Sequence, residues 1–131
     1  MQSATNQEGE LSHKVLVCDD AAFMRMVIKR VLSGTEFEVI AEAENGVDAF
    51  EQYKEHSPDV VTMDLVMPEK NGVEAVRAII GHDPDARIVM CSAVGQEEMV
   101  AEAVGAGAKG FVIKPFDGPT LLEGVKRALD G

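Results

Sequence analysis

Residues 60–68 read VVTMDLVMP. An apolar, partly β-branched run, the composition of a buried strand, stops at a single aspartate, Asp64, shortly before Pro68. That carboxylate is either solvated where the chain leaves a sheet or held there for chemistry. The rest of the sequence decides between the two.

Four more runs of the same character surround it: KVLVC (14–18), EVIAEA (38–43), RIVMCSA (87–93) and GFVIK (110–114), with DVVTMD (59–64) as the third of five. Each gap carries a helical pattern. Phe23, Val27 and Val31 fall on one face, with Met24, Ile28 and Leu32 beside it. Val47, Phe50 and Tyr53 repeat the spacing, as do Val73, Val76 and Ile80; then Met99, Ala103 and Val104; then Leu122, Val125 and Leu129. Asn45 is placed to cap the second helix, Asp117 to cap the last with Pro119 in its first turn, and GHDPDA (81–86) and GAGAKG (105–110) are turn-forming. The pattern is (βα)5. Strands apolar on both faces, joined by crossovers of this length, form a parallel sheet covered by helices on each side. The expected fold is α/β: a doubly wound three-layer sandwich with a flavodoxin-like sheet of order 2-1-3-4-5.

Composition narrows the function. The chain of 131 residues carries 23 acidic and 12 basic side chains, a net charge of −11. With no basic stripe to relieve that charge, neither nucleic acid nor an anionic membrane is an expected partner. The segment MQSATNQEGELSH (1–13) lacks the basic and apolar regions of a signal peptide and reads as a disordered polar extension ahead of a domain at 14–131. No apolar run reaches membrane-spanning length, and a cytoplasmic, monomeric protein is expected. Cys18 and Cys91 lie in separate strand runs without metal-ligand spacing and are expected to be buried free thiols. The seven methionines, among them Met24, Met26 and Met99, are expected as core filler, and His13, His56 and His82 as exposed polar residues.

In a doubly wound sheet, ligands bind beyond the carboxyl ends of the strands. Asp64 ends the third strand, and Asp19 and Asp20 end the first, its neighbour in the expected order. Two carboxylates 4 Å apart repel by about 4 kcal/mol at an effective dielectric near 20, so three together require a cation. Mg²⁺ suits them, since it takes one or two carboxylates and shares its remaining positions with water or a phosphate oxygen. Ser92 at the end of the fourth strand and Lys114 at the end of the fifth add a hydroxyl and an ammonium. No phosphate-binding glycine loop is present. A carboxylate nucleophile remains as the phosphoryl acceptor.

The set CDD (18–20), MDLVMP (63–68), CSA (91–93) and KPF (114–116), each at a strand end and in this order, resembles the receiver domain of two-component response regulators. The resemblance spans Lys14 to Leu129, and the chemotaxis receiver is itself a standard example of the 2-1-3-4-5 sheet. DDAAFMRM (19–26) and CSAVGQ (91–96) resemble most the chemotaxis type, a single receiver without an output domain. The resemblance implies that Asp64 accepts a phosphoryl group from a histidine kinase. Asp20, Asp64 and the Val66 carbonyl would bind Mg²⁺, with Asp19 holding a metal-bound water. Ser92 and Lys114 would contact the phosphoryl oxygens, Lys114-Pro115 would be cis, and Phe111 would be an aromatic switch at a position where the best-known chemotaxis members carry tyrosine. Val66 and Val94 stand where family members influence hydrolysis of the phosphoaspartate. The implied partners are a histidine kinase of the chemotaxis type and a downstream protein target such as a flagellar switch protein; a phosphatase is compatible with the same pattern. A phosphorelay intermediate or phosphate sink would use the same residues. A haloacid-dehalogenase-like phosphohydrolase would also use an aspartyl nucleophile and Mg²⁺, but its Asp-x-Asp signature on the first strand and its cap domain are missing. A degenerate receiver that never accepts phosphate conflicts with the intact acceptor set. The expected protein is a phosphoacceptor switch, not a turnover enzyme.

Overall fold

Strand and helix alternate along the chain as the apolar periodicities require. The computed structural model describes residues 4–5 and 11–131. In chain order the elements are β1 (Ala4–Thr5), β2 (Leu11–Cys18), α1 (Ala22–Leu32), β3 (Phe37–Ala43), α2 (Gly46–His56), β4 (Val60–Asp64), α3 (Gly72–His82), β5 (Ile88–Ala93), α4 (Glu97–Gly105), β6 (Gly110–Lys114) and α5 (Gly118–Asp130). Among the described residues, five strands are parallel and lie in the order β3-β2-β4-β5-β6, the expected 2-1-3-4-5 when β1 is set aside.

The amino end departs from the expected extension. β2 starts at Leu11, three residues before Lys14, and His13 pairs with Phe37 of β3 and stacks on its ring at 5.7 Å. Ala4 and Thr5 pair antiparallel with Ser12 and Leu11. The remainder of the expected disordered segment lies outside the described residues. His13 is therefore a half-buried strand residue instead of a tail residue.

Side-chain alternation along the strands builds two cores. Leu16, Val61, Met63, Ile88 and Met90 face α2, α3 and α4, meeting Ala49, Val76, Ile79 and Ala103. Val15, Val17, Val60, Val89 and Val112 face α1 and α5, meeting Ile28, Leu32, Leu121 and Val125. Each such side chain, fully buried, stabilises the fold by about 1.5–3 kcal/mol relative to exposure. Cys18 belongs to the first core and Cys91 to the second, so the sheet separates the two thiols and both are free. Burial pushes both thiols up, Cys91 to about 12, and neither is a nucleophile at neutral pH.

Three helix faces differ from the periodic reading. Helix α1 is apolar over more than one face, and the buried stripe runs through Ile28 and Leu32 with Met24 and Val31 packed at its edge, leaving Phe23 70 % exposed. Val47, Val104 and Met26 are likewise exposed, while Val100, one turn before Val104 in α4, is buried in the first core with Ala103. The caps fall where expected: Asn45 accepts from Asp48 N–H at 2.7 Å, and Asp117 from Thr120 N–H at 2.8 Å. Asn71 and Glu74 add a reciprocal capping box to α3, which sets its first turn just beyond the loop that follows Asp64.

At the amino ends of the strands, Lys14 N–H donates to Asp59 Oδ2 at 2.7 Å while Asp59 N–H donates to the Lys14 carbonyl at 2.8 Å. That pair locks the β2/β4 register, which in turn brings Asp19 and Asp64 level at the opposite edge.

Candidate functional site

Asp19, Asp64 and Lys114 continue the alternation of Val17, Thr62 and Val112, so all three lean toward the α1/α5 side of the sheet as the strands end. The Lys114 ammonium lies 3.0 Å from Asp19 Oδ2 and 3.3 Å from Asp64 Oδ1. One carboxylate oxygen from each of Asp19, Asp20 and Asp64 falls within 4.8 Å of the others. The five site residues expected at strand ends thus divide into a contiguous group of four and Ser92.

The electrostatics follow from burial. Burial raises the Asp64 carboxyl above its ordinary value; Lys114 pulls it back, and Asp19 and Asp20 push it up again by like charge, leaving it raised. For Lys114, burial works against the ammonium, but the bond to Asp19 and the charge of Asp64 outweigh it and leave the group above its ordinary range. The lysine is the fixed counter-charge of this pocket.

Three hard oxygen donors this close suit a divalent cation such as Mg²⁺. Asp20 is exposed and makes no hydrogen bond or ion pair among the described residues, so its carboxylate is available. The Val66 carbonyl, next to the exposed Val66 side chain, accepts no hydrogen bond among the described residues either. Asp19, by contrast, is buried and spends both carboxylate oxygens on Ala21 N–H at 2.9 Å and on Lys114. The residues present therefore fit the ion.

The loop after Asp64 is held by close backbone approaches. Gly72 N–H donates to the Leu65 carbonyl at 2.8 Å, and a Cβ on Gly72 would collide with the Asp64 carbonyl oxygen and sit 2.9 Å from Leu65 Cα. A Cβ on Gly46 would collide with the Lys70 carbonyl oxygen. Glu69 between them is left-handed at φ 69°.

Ser92 is buried and shares parity with Met90, on the face opposite to the acidic group, and it makes no hydrogen bond to Asp64 or Lys114. It lines a largely apolar cavity of about 360 Å³ that also meets Val100, Val104, Phe111 and Ile113. Phe111 is half exposed on the same wall, outside both cores. Val94, 79 % exposed, and Gly95 make the loop between Ser92 and α4, which is held by a bond from Ala93 N–H to Gln96 Oε1 at 2.7 Å. Lys114-Pro115 is cis, as the resemblance implied.

Sequence reasoning missed Arg25. Its Nη1 donates to the Asp19 carbonyl at 2.7 Å, and its Nε to Glu42 Oε1 at 2.8 Å. The available signal was a cation at the end of the first turn of a helix with no acidic residue there, an arrangement the helix dipole disfavours unless another partner holds it.

The fold and this acidic edge define a class, and sequence comparison agrees: the response regulator receiver domain family matches residues 15–126, and the chain belongs to that family. Among its curated relatives, the chemotaxis protein CheY of Bacillus subtilis (strain 168) is 54 % identical over 120 residues, covering 92 % of this chain and all of the relative. CheY of Thermotoga maritima is 49 % identical, covering 89 % of this chain and 98 % of the relative. Among solved structures, the CheX-CheY-BeF3-Mg complex from Borrelia burgdorferi aligns with a TM-score of 0.84 at 32 % identity, covering 92 % of each chain. Among the described residues, no helix is long and apolar enough to cross a membrane.

Proposed function

We propose that this receiver is a chemotaxis response regulator of the cytoplasm that accepts a phosphoryl group on Asp64 from a histidine kinase and thereby changes its affinity for a protein target. The observation that carries the proposal is the Asp64 carboxylate at the end of β4, 3.3 Å from the Lys114 ammonium and grouped with two further carboxylates. An Asp64 oxygen attacks phosphorus, the bond from phosphorus to the donor imidazole breaks, and the imidazole nitrogen leaves with its electron pair. Asp20, Asp64 and the Val66 carbonyl would hold Mg²⁺, with Asp19 acting through a bound water, and the ion would supply charge neutralisation for the transferring group. Lys114 contributes a second fixed positive charge on the same side and then pairs with the phosphoryl oxygens.

The switch follows from where Ser92 lies. Its hydroxyl makes no bond to the acceptor group and has to be drawn across the strand end to meet a phosphoryl oxygen. That movement changes the wall it shares with Phe111, and Phe111 then rotates into the adjoining cavity of about 360 Å³. The surface altered is formed by α4, β6 and α5, where Phe111 and Ile113 stand half exposed. Coupling of this kind is typically about 1–3 kcal/mol, roughly 5 to 150-fold in partner affinity.

Affinity for a flagellar switch protein, measured with and without a stable phosphoryl mimic, tests this reading. The parent protein is expected to bind more tightly with the mimic, by a factor in that range. Ser92→Ala and Phe111→Ala should still accept the phosphoryl group and lose most of the difference. A normal difference in Phe111→Ala would remove the aromatic switch; no difference in the parent would remove the target.

A further inference from the structure

The two neighbouring aspartates at the end of β2 are held very unequally. Asp19 has every hydrogen-bonding group engaged: its N–H donates to the Ala43 carbonyl at 3.0 Å, Oδ1 accepts from Ala21 N–H, Oδ2 accepts from Lys114, and its carbonyl accepts from Arg25 Nη1 at 2.7 Å. Asp20 has no such partner among the described residues. The direction in which Asp20 presents its carboxylate is thus inherited from the peptide unit between the two residues, and Arg25 is the side chain that holds that unit's carbonyl.

Arg25 is itself fixed. Its guanidinium fork spans two acceptors, the Asp19 carbonyl and Glu42 Oε1, and its side chain is 15 % exposed. Glu42 stands on β3, opposite Val17 of β2, and its other oxygen accepts from Lys29 Nζ at 2.8 Å. A planar fork with parallel donors can bridge acceptors on two different elements, which a lysine ammonium cannot do in the same geometry. The chain of contacts therefore runs from strand β3 through one side chain of α1 to the backbone of the acidic loop.

We propose that Arg25 is a positioning residue for the metal-binding carboxylates, and that the Glu42–Arg25–Asp19 relay sets the direction of Asp20 and with it the affinity for a divalent cation. The proposal rests on the reading of the acidic group as a Mg²⁺ site. It makes a prediction opposite in sign to simple electrostatics. Removing a nearby positive charge should tighten cation binding; removing a support that orients a ligand weakens it, by about 10 to 100-fold in metal sites generally.

The test is a Mg²⁺ titration of the isotope-labelled full chain followed by NMR at the Asp20, Ala21 and Val66 amides, with thermal melting measured separately. Arg25→Ala is expected to bind Mg²⁺ about tenfold more weakly, the lower end of that range because the contact is to a backbone carbonyl. Arg25→Lys, which keeps the charge and loses the fork, should not restore affinity. Lys29→Ala, which removes the same charge from the same Glu42 without touching Asp19, should bind like the parent. Parent-level or tighter binding in Arg25→Ala overturns the proposal, whatever the melting temperature does, because a merely structural arginine changes stability alone. Should Arg25→Ala fail to fold, parent-level binding in Arg25→Lys overturns it equally. Binding in the parent that is lost in Asp20→Ala supports the metal site independently of Arg25, whereas no Mg²⁺-dependent shift in the parent overturns the site and the relay together.

Discussion

The Lys114 ammonium reaches from the end of β6 to within 3.3 Å of Asp64 Oδ1, yet the Asp64 carboxyl still stands above its ordinary value. Burial and the two neighbouring aspartates outweigh the one lysine. The carboxylates of the pocket are therefore under electrostatic stress, which a bound cation would relieve.

That stress has a measurable sign. With the Asp64 pKa raised from 3.8, the folded protein holds a proton that the unfolded chain has already released, so stability falls as pH rises through the window above 3.8 and the loss persists at neutral pH. Asp64→Asn removes the penalty while Lys114 keeps its partner Asp19. Without metal at neutral pH, the variant should melt about 3–5 °C higher for each ~1 kcal/mol relieved. The advantage should shrink as pH falls through that window and the parent carboxyl protonates. A lower melting temperature for Asp64→Asn at neutral pH would show that the ion pair with Lys114 outweighs the repulsion.

Glycines in the two halves of α3 should respond in opposite directions. Gly72→Ala forces a Cβ against the Asp64 carbonyl and should cost about 1–3 kcal/mol while displacing Asp64. Gly81→Ala, with nothing within 4 Å, should stabilise by about 0.5–1 kcal/mol through helix propensity alone. Chemical denaturation of both variants checks the pair.

Thr62, two residues before Asp64, buries a hydroxyl that has no hydrogen-bond partner among the described residues. An unsatisfied buried polar group costs about 1–3 kcal/mol, and Thr62→Val replaces it with a methyl of similar shape. The variant should be more stable by roughly 1 kcal/mol, read from its denaturation midpoint. Unchanged or reduced stability would mean that the hydroxyl has a partner in solution.

Much of this was legible in the sequence because strand ends mark themselves. In DVVTMD, RIVMCSA and GFVIK, an apolar run gives way to Asp64, Ser92 and Lys114, and parallel topology carries those ends to one edge. Helix faces were less legible where the apolar residues exceed one face: in α1, periodicity alone could not choose between Phe23 and Ile28, and the sheet chose Ile28. Contacts made by the backbone were not legible at all. The closeness of Gly72 to the Asp64 carbonyl and the bond from Arg25 to the Asp19 carbonyl depend on how loops return, which no spacing of side chains encodes. Nor did residue type reveal that Ser92 and Asp64 lean to opposite faces of the sheet, since that follows from the parity of each strand's last residues.

Phosphorylation of Asp64 is read by intact-protein mass spectrometry after incubation with acetyl phosphate and Mg²⁺. The parent should gain one phosphoryl group, hydroxylamine should remove it as it does an acyl phosphate, and peptide mapping should place it on Asp64. Omission of Mg²⁺, or Asp64→Asn, should abolish the gain, whereas a full gain in Asp64→Asn would place the phosphoryl group on another residue.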